Sequence, residues 1–230
     1  MDGVEIGLEF FDICFQFFRV NIAEFLLRLL SEDLFNSAFH IFIALARGIV
    51  ARSNMIMVMA EFDAYTMGFS TRTWDETLEI LRAHSIERLI DIRTLPGSKR
   101  TPQFNLEHLR VALPRAGVEY IHMKELGGLR KAKKDSINVA WRNEGFRGYA
   151  DYMQTPEFEA ALAHFNELIG QKNSVYVCTE AVFWRCHRQL VSDALLIRGL
   201  RIGHVFSATK IEAHKLTNFA RVMGTRITYP

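Results

Sequence analysis

The chain has 230 residues, a mass of 26.5 kDa and a formal net charge of +2, with 49% apolar and 23% charged residues. This composition excludes a disordered, collagenous or low-complexity chain, and the length suits one domain with or without an appendage. The three cysteines, Cys14, Cys178 and Cys186, are too few for a disulfide framework. Their number favours a reducing compartment, so we expect a cytoplasmic protein.

The near-zero net charge hides an asymmetry between two parts of the chain. Residues 1–64 carry four bases against nine acids, whereas the remainder carries 24 bases against 17 acids. A basic remainder suits an anionic partner, either a phosphate-bearing small molecule or a nucleic acid. A solvated surface with surplus arginine explains the same numbers.

Residues 1–60 are predicted to be an apolar helical extension. Amphipathic helices are expected at Ile22–Leu30 and Ala38–Ala46, suited to docking on the main domain, to pairing with a second copy of the chain as an oligomer, or to lying on a membrane surface. The longest stretch without a charged residue, Leu34–Ala46, is too short for a transmembrane segment.

A second interpretation of this extension is that translation begins later. Met55, Met57 and Met59 lie just before the first clear strand. Residues 1–54 would then be upstream sequence that was never selected to fold, and the single α/β domain would span residues 61–230.

From Ala64 onward, apolar runs alternate with amphipathic stretches. The predicted strands are Ala64–Phe69, Arg88–Ile92, Val118–His122, Ser174–Cys178 and Arg201–Phe206. The predicted helices run from a Thr73 cap to His84, from an Asn105 cap to Ala112, over Phe146–Met153 and Pro156–Ile169, and from Arg185 to Arg198. The tail, Ser207–Pro230, is polar and ambiguous. This alternation predicts an α/β fold with a mostly parallel sheet of about five strands and helices on both faces.

Charged and chemically reactive side chains follow the predicted strand ends. Ligands of open α/β sheets bind beyond the carboxyl ends of the strands, so we expect these side chains to form one site. The residues concerned are Ser70 and Arg72; Asp91, Arg93, Ser98 and Arg100; His122 and Glu125; and Cys178, Glu180, Cys186, His187 and Arg188.

The group around Cys186 allows three interpretations. Either Cys186 or Cys178 is a nucleophile, with His187 or Glu180 carrying the proton. Alternatively, Cys178, Cys186 and His187 bind a metal, with Glu180 as fourth ligand or general base, although seven intervening residues match no common zinc spacing. In the third interpretation the cysteines fill the core, and His187 with Arg188 either binds a phosphate or caps the structure. Cys186 and His187 are expected in the first turn of a helix, where the dipole stabilises an anion.

Asp91 and Arg93 are two residues apart and should lie on one face of a strand. They form either an internal salt bridge or a carboxylate for proton transfer beside a phosphate-binding guanidinium. With Arg72, the basic turn Ser98–Arg100 would complete an anion pocket.

The segment from Leu129 to Gly148 is predicted to be a long polar loop. It holds six bases against two acids, and Trp141 lies within it. Cations combined with an aromatic side chain suit phosphate contact and base stacking, so Trp141 is a candidate ligand-binding residue. A flexible solvated loop anchored by Trp141 is the alternative.

These motifs together resemble the domain-of-unknown-function 488 family. The resemblance rests on Tyr65–Arg72, Asp91–Arg93, Pro96–Phe104, Glu125–Gly128, and Cys178-Thr179-Glu180 followed by Cys186-His187-Arg188. It implies a small cytoplasmic α/β domain, some of whose relatives carry a DNA-repair label. The family's motif positions match Ser70, Arg72, Asp91, Arg93, Ser98, Arg100, Cys178, Glu180, Cys186, His187 and Arg188. Family members usually begin shortly before the first strand, and Phe69 stands here where a His is more typical.

The sequence therefore predicts an enzyme-like domain that acts on a phosphate-bearing ligand, a nucleotide or a nucleic acid, and the resemblance adds a relation to DNA repair. Arg72, Arg93, Arg100 and Arg188 would hold phosphate and Asp91 or Glu180 would transfer a proton, with Cys186 and His187 at the reacting centre. The alternative is a non-catalytic nucleotide- or nucleic-acid-binding module. No cofactor is identified.

Overall fold

The computed structural model describes residues 62–230, so the helices predicted in residues 1–60 and the late translation start lie outside the described residues. Its main sheet consists of β1 (Ala64–Gly68), β2 (Arg88–Asp91), β3 (Glu119–His122), β4 (Ser174–Cys178), β5 (Ile202–Val205) and β6 (Ile211–Ala213). The helices are α1 (Trp74–Ala83), α2 (Leu106–Arg115), α3 (Glu144–Tyr152), α4 (Pro156–Gln171) and α5 (Arg188–Leu196). A separate hairpin joins β7 (Arg221–Met223) and β8 (Arg226–Thr228), and short 3-10 turns cover Pro102–Phe104, Lys124–Leu126 and Phe183–Arg185.

The strand order is β3-β2-β4-β1-β5-β6, and every pair except β5–β6 is parallel. The chain leaves β1 into α1 on one face of the sheet, whereas it leaves β4 into α5 on the other face. Ligands of α/β sheets bind beyond the carboxyl ends of neighbouring strands whose connections run to opposite faces, so the ends of β1 and β4 are the expected position of a site. The predicted α/β fold with a mostly parallel sheet is confirmed.

Alternate residues of the central strands point into two separate cores. Met67 and Val177 face α1 and α2, whereas Ile90 and Tyr176 face α3, α4 and α5. Both faces of the sheet are therefore covered, which explains why the strands are almost continuously apolar. Among the helices of residues 62–230, none combines the length and hydrophobicity that crossing a membrane would require.

Local signals set several helix ends as predicted. Thr73 and Glu76 form the reciprocal capping box of α1, and Thr155 caps α4 ahead of Pro156. Asn105 occupies the cap position of α2, but its side chain instead accepts a hydrogen bond from the backbone N–H of Ser98. That bond ties the basic turn to the start of α2.

Helix α5 begins later than the sequence predicts. A 3-10 turn over Phe183–Arg185 precedes it, and the helix starts at Arg188 with His187 in the cap position. The prediction that Cys186 and His187 lie inside the first helical turn is therefore wrong. Both residues lie immediately before the helix.

The tail contains more structure than its polar composition indicates. Strand β6 adds an antiparallel edge to β5, and the β7–β8 hairpin turns at Gly224, whose φ is +60°. Glycine adopts this positive φ without steric strain, and such a φ is typical of tight hairpin turns. Tyr229 follows the hairpin and is fully buried.

Candidate active site

The site lies where β1 and β4 end side by side, with Gly68 in register with Cys178. A side chain at Gly68 would collide with the backbone carbonyl of Glu180, so the chain leaving β4 passes directly over β1. This close approach holds the start of the segment between β4 and α5 against the sheet edge. Cys186 and His187, at the end of the same segment, lie beside Cys178.

Cys178, Cys186 and His187 form a compact group, called here the thiol–imidazole cluster. Their ligand atoms all lie within 4.8 Å of one another. His187 Nδ1 is 3.6 Å from Cys186 Sγ and 4.0 Å from Cys178 Sγ. Cys186 is 5% exposed, whereas Cys178 is partly exposed at the edge. Among residues 62–230 this is the one group of His, Cys, Asp and Glu side chains arranged closely enough to hold a metal ion.

The two thiols have unequal acidities. A hydrogen bond from Cys178 lowers the pKa of Cys186 well below its ordinary value, aided by His187 and Arg188, while burial opposes the shift. The same hydrogen bond, together with burial, raises the pKa of Cys178 well above its ordinary value. Of the two thiols, Cys186 is therefore the more acidic.

The orientation of His187 is fixed by its surroundings. Its Nε2 lies 3.1 Å from the backbone oxygen of Ile92, an atom that can only accept, so Nε2 carries a hydrogen and Nδ1 faces the sulfurs. Gly128 leaves room for the ring, because a Cβ there would lie 3.0 Å from Nδ1. The ring of Tyr149 packs against the imidazole at a centroid distance of 5.1 Å.

Arg188 lies behind the thiol–imidazole cluster and is 1% exposed. Its guanidinium donates to the carbonyls of Glu180 and Ala181 and to the hydroxyl of Thr66. Its Nε–H has no hydrogen-bond partner among the described residues, and within that part of the chain it forms no ion pair with a carboxylate. A buried cation without a carboxylate favours negative charge nearby.

Asp91 and Arg93 form the internal salt bridge that the sequence left as one of two interpretations. Arg93 Nε and Nη2 donate to the two Asp91 oxygens at 2.8 and 2.6 Å, and Tyr120 donates to the same carboxylate. Arg93 also donates to the carbonyl of Phe104 and lies over the ring of Phe69. Both charges are buried and paired, so these contacts favour an architectural role.

The remaining predicted site residues differ in how available they are. Arg72 donates to the carbonyls of Gly68 and Phe206, joining the ends of β1 and β5. The Arg72 guanidinium already donates to these carbonyls, so the predicted phosphate would have to compete with them. Burial also lowers the pKa of Arg72. Ser70 adopts a positive φ of 48° after β1.

Glu180 and Arg100 are exposed. Ser98 accepts a hydrogen bond from the backbone N–H of Arg100. Glu125 is exposed as well, so Arg100, Glu125 and Glu180 are the charged side chains of the predicted set that remain accessible to a ligand. The Glu180 carboxylate does not belong to the group of potential metal ligands among the described residues.

The long segment after β3 is fixed to the domain. Asp151, 4% exposed, accepts hydrogen bonds from Lys133 N, Ser136 Oγ and Asn138 Nδ2. Trp141 packs against Phe146, Phe219 and Tyr229. These contacts match the interpretation of Trp141 as an anchor, and they pack its partly buried ring against the core.

Sequence reasoning missed a buried network that joins α5 to the tail. Asp193 accepts from His214 Nε2 at 2.9 Å and from Thr217 and Tyr229, and His214 Nδ1 lies 2.9 Å from His204 Nε2. Phe183, in the turn before Cys186, stacks on the His204 ring at 3.4 Å. These residues are far apart in the sequence, so no local spacing could have revealed them.

No curated protein and no solved structure is significantly similar to this chain. The model of the family described as "Domain of unknown function DUF488" matches residues 73–195, more than half of the chain. The matched region includes β2, β4, the thiol–imidazole cluster and Arg188. The protein therefore belongs to this family.

Proposed function

We propose that the protein is an enzyme-like domain that acts on a phosphate-bearing ligand, a nucleotide or a nucleic acid, bound at the carboxyl edge between β1 and β4. The observation that carries this proposal is the buried guanidinium of Arg188, which forms no ion pair with a carboxylate in residues 62–230. Its positive charge lies directly behind a cluster of reactive side chains at the position where α/β sheets bind ligands.

Arg188 acts on the ligand through its electrostatic field, because it is almost fully buried. Charges in a low-dielectric interior are weakly screened and raise the local concentration of oppositely charged ligands. Direct contacts would come from exposed cations on neighbouring loops, namely Lys99 and Arg100 after β2 and Arg185 before α5. Guanidinium groups are suited to bidentate phosphate contacts.

Binding of simple phosphates tests the proposal. The probes are inorganic pyrophosphate, a nucleoside triphosphate and a short single-stranded oligonucleotide, measured by calorimetry on the full chain. Loss of one charge-assisted contact of about 1–2 kcal/mol weakens binding by about 5- to 30-fold, which is the expected effect of Arg100→Ala and of Arg185→Ala. Arg115→Ala is the matched control, because Arg115 is exposed at the end of α2, toward the amino edge of the sheet. The proposal is refuted if no probe binds, or if the control weakens binding as much as Arg100→Ala does.

The second candidate is a non-catalytic binding module, which four exposed cations of the loop after β3 favour: Lys131, Lys133, Lys134 and Arg142. The partly buried ring of Trp141 is engaged by other aromatic rings at the edge of the core, so this loop offers charge more readily than base stacking. If the protein is a binding module, its affinity for an oligonucleotide should fall steeply with salt and should be unchanged by Cys186→Ser. The logarithm of the affinity should fall with the logarithm of the salt concentration with a slope of about −0.7 per neutralised phosphate of a single strand. The enzyme predicts turnover of a bound ligand that Cys186→Ser abolishes. The role in DNA repair and the cytoplasmic location stay predictions.

A further inference from the structure

We propose that Cys178, Cys186 and His187 bind one divalent transition-metal ion of the zinc type and leave its fourth coordination position open to an anionic ligand. This inference deepens the proposed function, because it states what the reacting centre holds. It is nevertheless argued from the geometry of the cluster and tested independently.

The distances between the donor atoms fit a tetrahedral ion. With Zn–S near 2.3 Å and Zn–N near 2.0–2.1 Å, tetrahedral angles separate a sulfur from a nitrogen by about 3.5 Å and two sulfurs by about 3.8 Å. The observed separations of His187 Nδ1 from the sulfurs of Cys186 and Cys178 are 3.6 and 4.0 Å. The two sulfur–nitrogen separations therefore fit a shared ion, and the two sulfurs lie within 4.8 Å of each other.

The imidazole is already oriented as metal-binding histidines usually are. A metal-bound histidine typically donates its second ring N–H to a carbonyl or carboxylate, which fixes the ring and raises the basicity of the ligating nitrogen. Here Nε2–H points to the Ile92 carbonyl, and Nδ1 faces both sulfurs. Gly128 maintains this position, since any side chain there would press on the ring.

The limited exposure of the thiols favours a role as metal ligands over a role as nucleophiles. Cys186 is 5% exposed, so a substrate has little access to its sulfur. Two thiolates and an imidazole are the donor set that zinc-type ions prefer over calcium or magnesium. A buried sulfur that ligates an ion needs no such access.

The number of ligands indicates an open site. Structural zinc sites use four protein ligands, whereas catalytic sites use three and reserve the fourth position. No fourth His, Cys, Asp or Glu joins the cluster within the described chain. Two thiolates neutralise a divalent ion, so the nearby Arg188 leaves the loaded site with an excess positive charge that favours an anion.

Titration of the metal-free full chain with Co²⁺ alone, followed by competition with Zn²⁺, tests the inference. Co²⁺ reports directly on its ligands, because thiolate ligation produces charge-transfer absorption and tetrahedral geometry intensifies the visible bands. The expected result is one Co²⁺ per chain, bound with both signatures and with release of thiol protons, and then displaced by Zn²⁺.

Variants assign the ligands. Cys178→Ser and Cys186→Ser should each abolish the charge-transfer band or weaken Co²⁺ binding by more than 100-fold, whereas Cys14→Ser, the matched control, should leave both unchanged. Gly128→Ala keeps all three ligands but displaces His187, and should weaken binding by about 10- to 100-fold, the range seen when support of a ligand is lost. Circular dichroism shows whether each variant is folded.

The inference is overturned if folded wild-type protein binds no Co²⁺, or if Cys14→Ser reduces binding as strongly as Cys186→Ser does. Loss of the inference and loss of the proposed function are distinguishable. Phosphate binding without Co²⁺ binding refutes the metal site alone. Co²⁺ binding at the cluster without affinity for any phosphate probe refutes the proposed function alone.

Discussion

Lowering the pH should destabilise the protein through His204. Burial and the neighbouring His214 and Arg188 lower the pKa of His204 to about 2, so the imidazole is neutral in the folded protein. In the unfolded chain its pKa returns to about 6.5, and the unfolded state therefore binds more protons between these two values. The stabilisation is complete above pH 6.5 and is lost progressively as the pH falls toward 2. Between pH 7 and pH 5 the loss is about 2 kcal/mol from this residue alone.

Urea unfolding at pH 7, 6 and 5 measures this contribution. His204→Gln keeps a polar side chain but removes the titration, so its free energy of unfolding should decrease by about 2 kcal/mol less than that of the wild type over this range. His164→Gln is the control, because His164 is exposed on α4 and forms a surface ion pair with Glu167. Equal pH dependence in wild type and His204→Gln would refute the reasoning.

Three substitutions test the architecture around the site, two of them measured by urea unfolding and one by hydrogen exchange. Gly68→Ala should destabilise the protein by about 3 kcal/mol, because the new methyl group meets backbone, whereas Gly97→Ala, with open space around it, should change stability by less than about 0.5 kcal/mol. Asp91→Ala leaves the buried Arg93 charge unpaired and should lower stability by about 3–5 kcal/mol; a change below 1 kcal/mol would show that the pair is dispensable. Asp151→Ala removes the acceptor that fixes the loop after β3, so hydrogen exchange of the loop amides should accelerate while that of β4 does not.

The fold was accessible to sequence reasoning where local chemistry is strong. Buried parallel strands are continuous apolar runs, and the capping box at Thr73 with Glu76 marks a helix start independently of tertiary contacts. The predicted start of α5 at Arg185 is three residues too early, because the turn over Phe183–Arg185 is set by packing of Phe183 on His204. Such a contact between residues 21 positions apart has no local signature.

The candidate site, like the fold, was predictable from the sequence only in part. Cys178, Cys186 and His187 were selected from strand ends, because topology places the ends of parallel strands at one edge. The same reasoning could not predict which partner each charged side chain has in the fold. Asp91 is close enough in sequence to Arg93 to suggest a pair, but the partners of Arg188 and Arg72 are mostly carbonyls on other segments, which composition does not reveal.

Charge balance links the proposed ion to the proposed ligand. Three arginines in the described chain are almost fully buried: Arg88 pairs with Glu119, Arg93 pairs with Asp91, and Arg188 pairs with no carboxylate. A divalent ion bound by two thiolates carries no net charge, so the charge of Arg188 stays uncompensated and an anion is the favoured fourth ligand. Phosphate and Zn²⁺ should therefore bind with positive coupling, typically 5- to 150-fold in either direction. Equal phosphate affinity with and without Zn²⁺ would show that Arg188 is compensated by other means and that the two sites are independent.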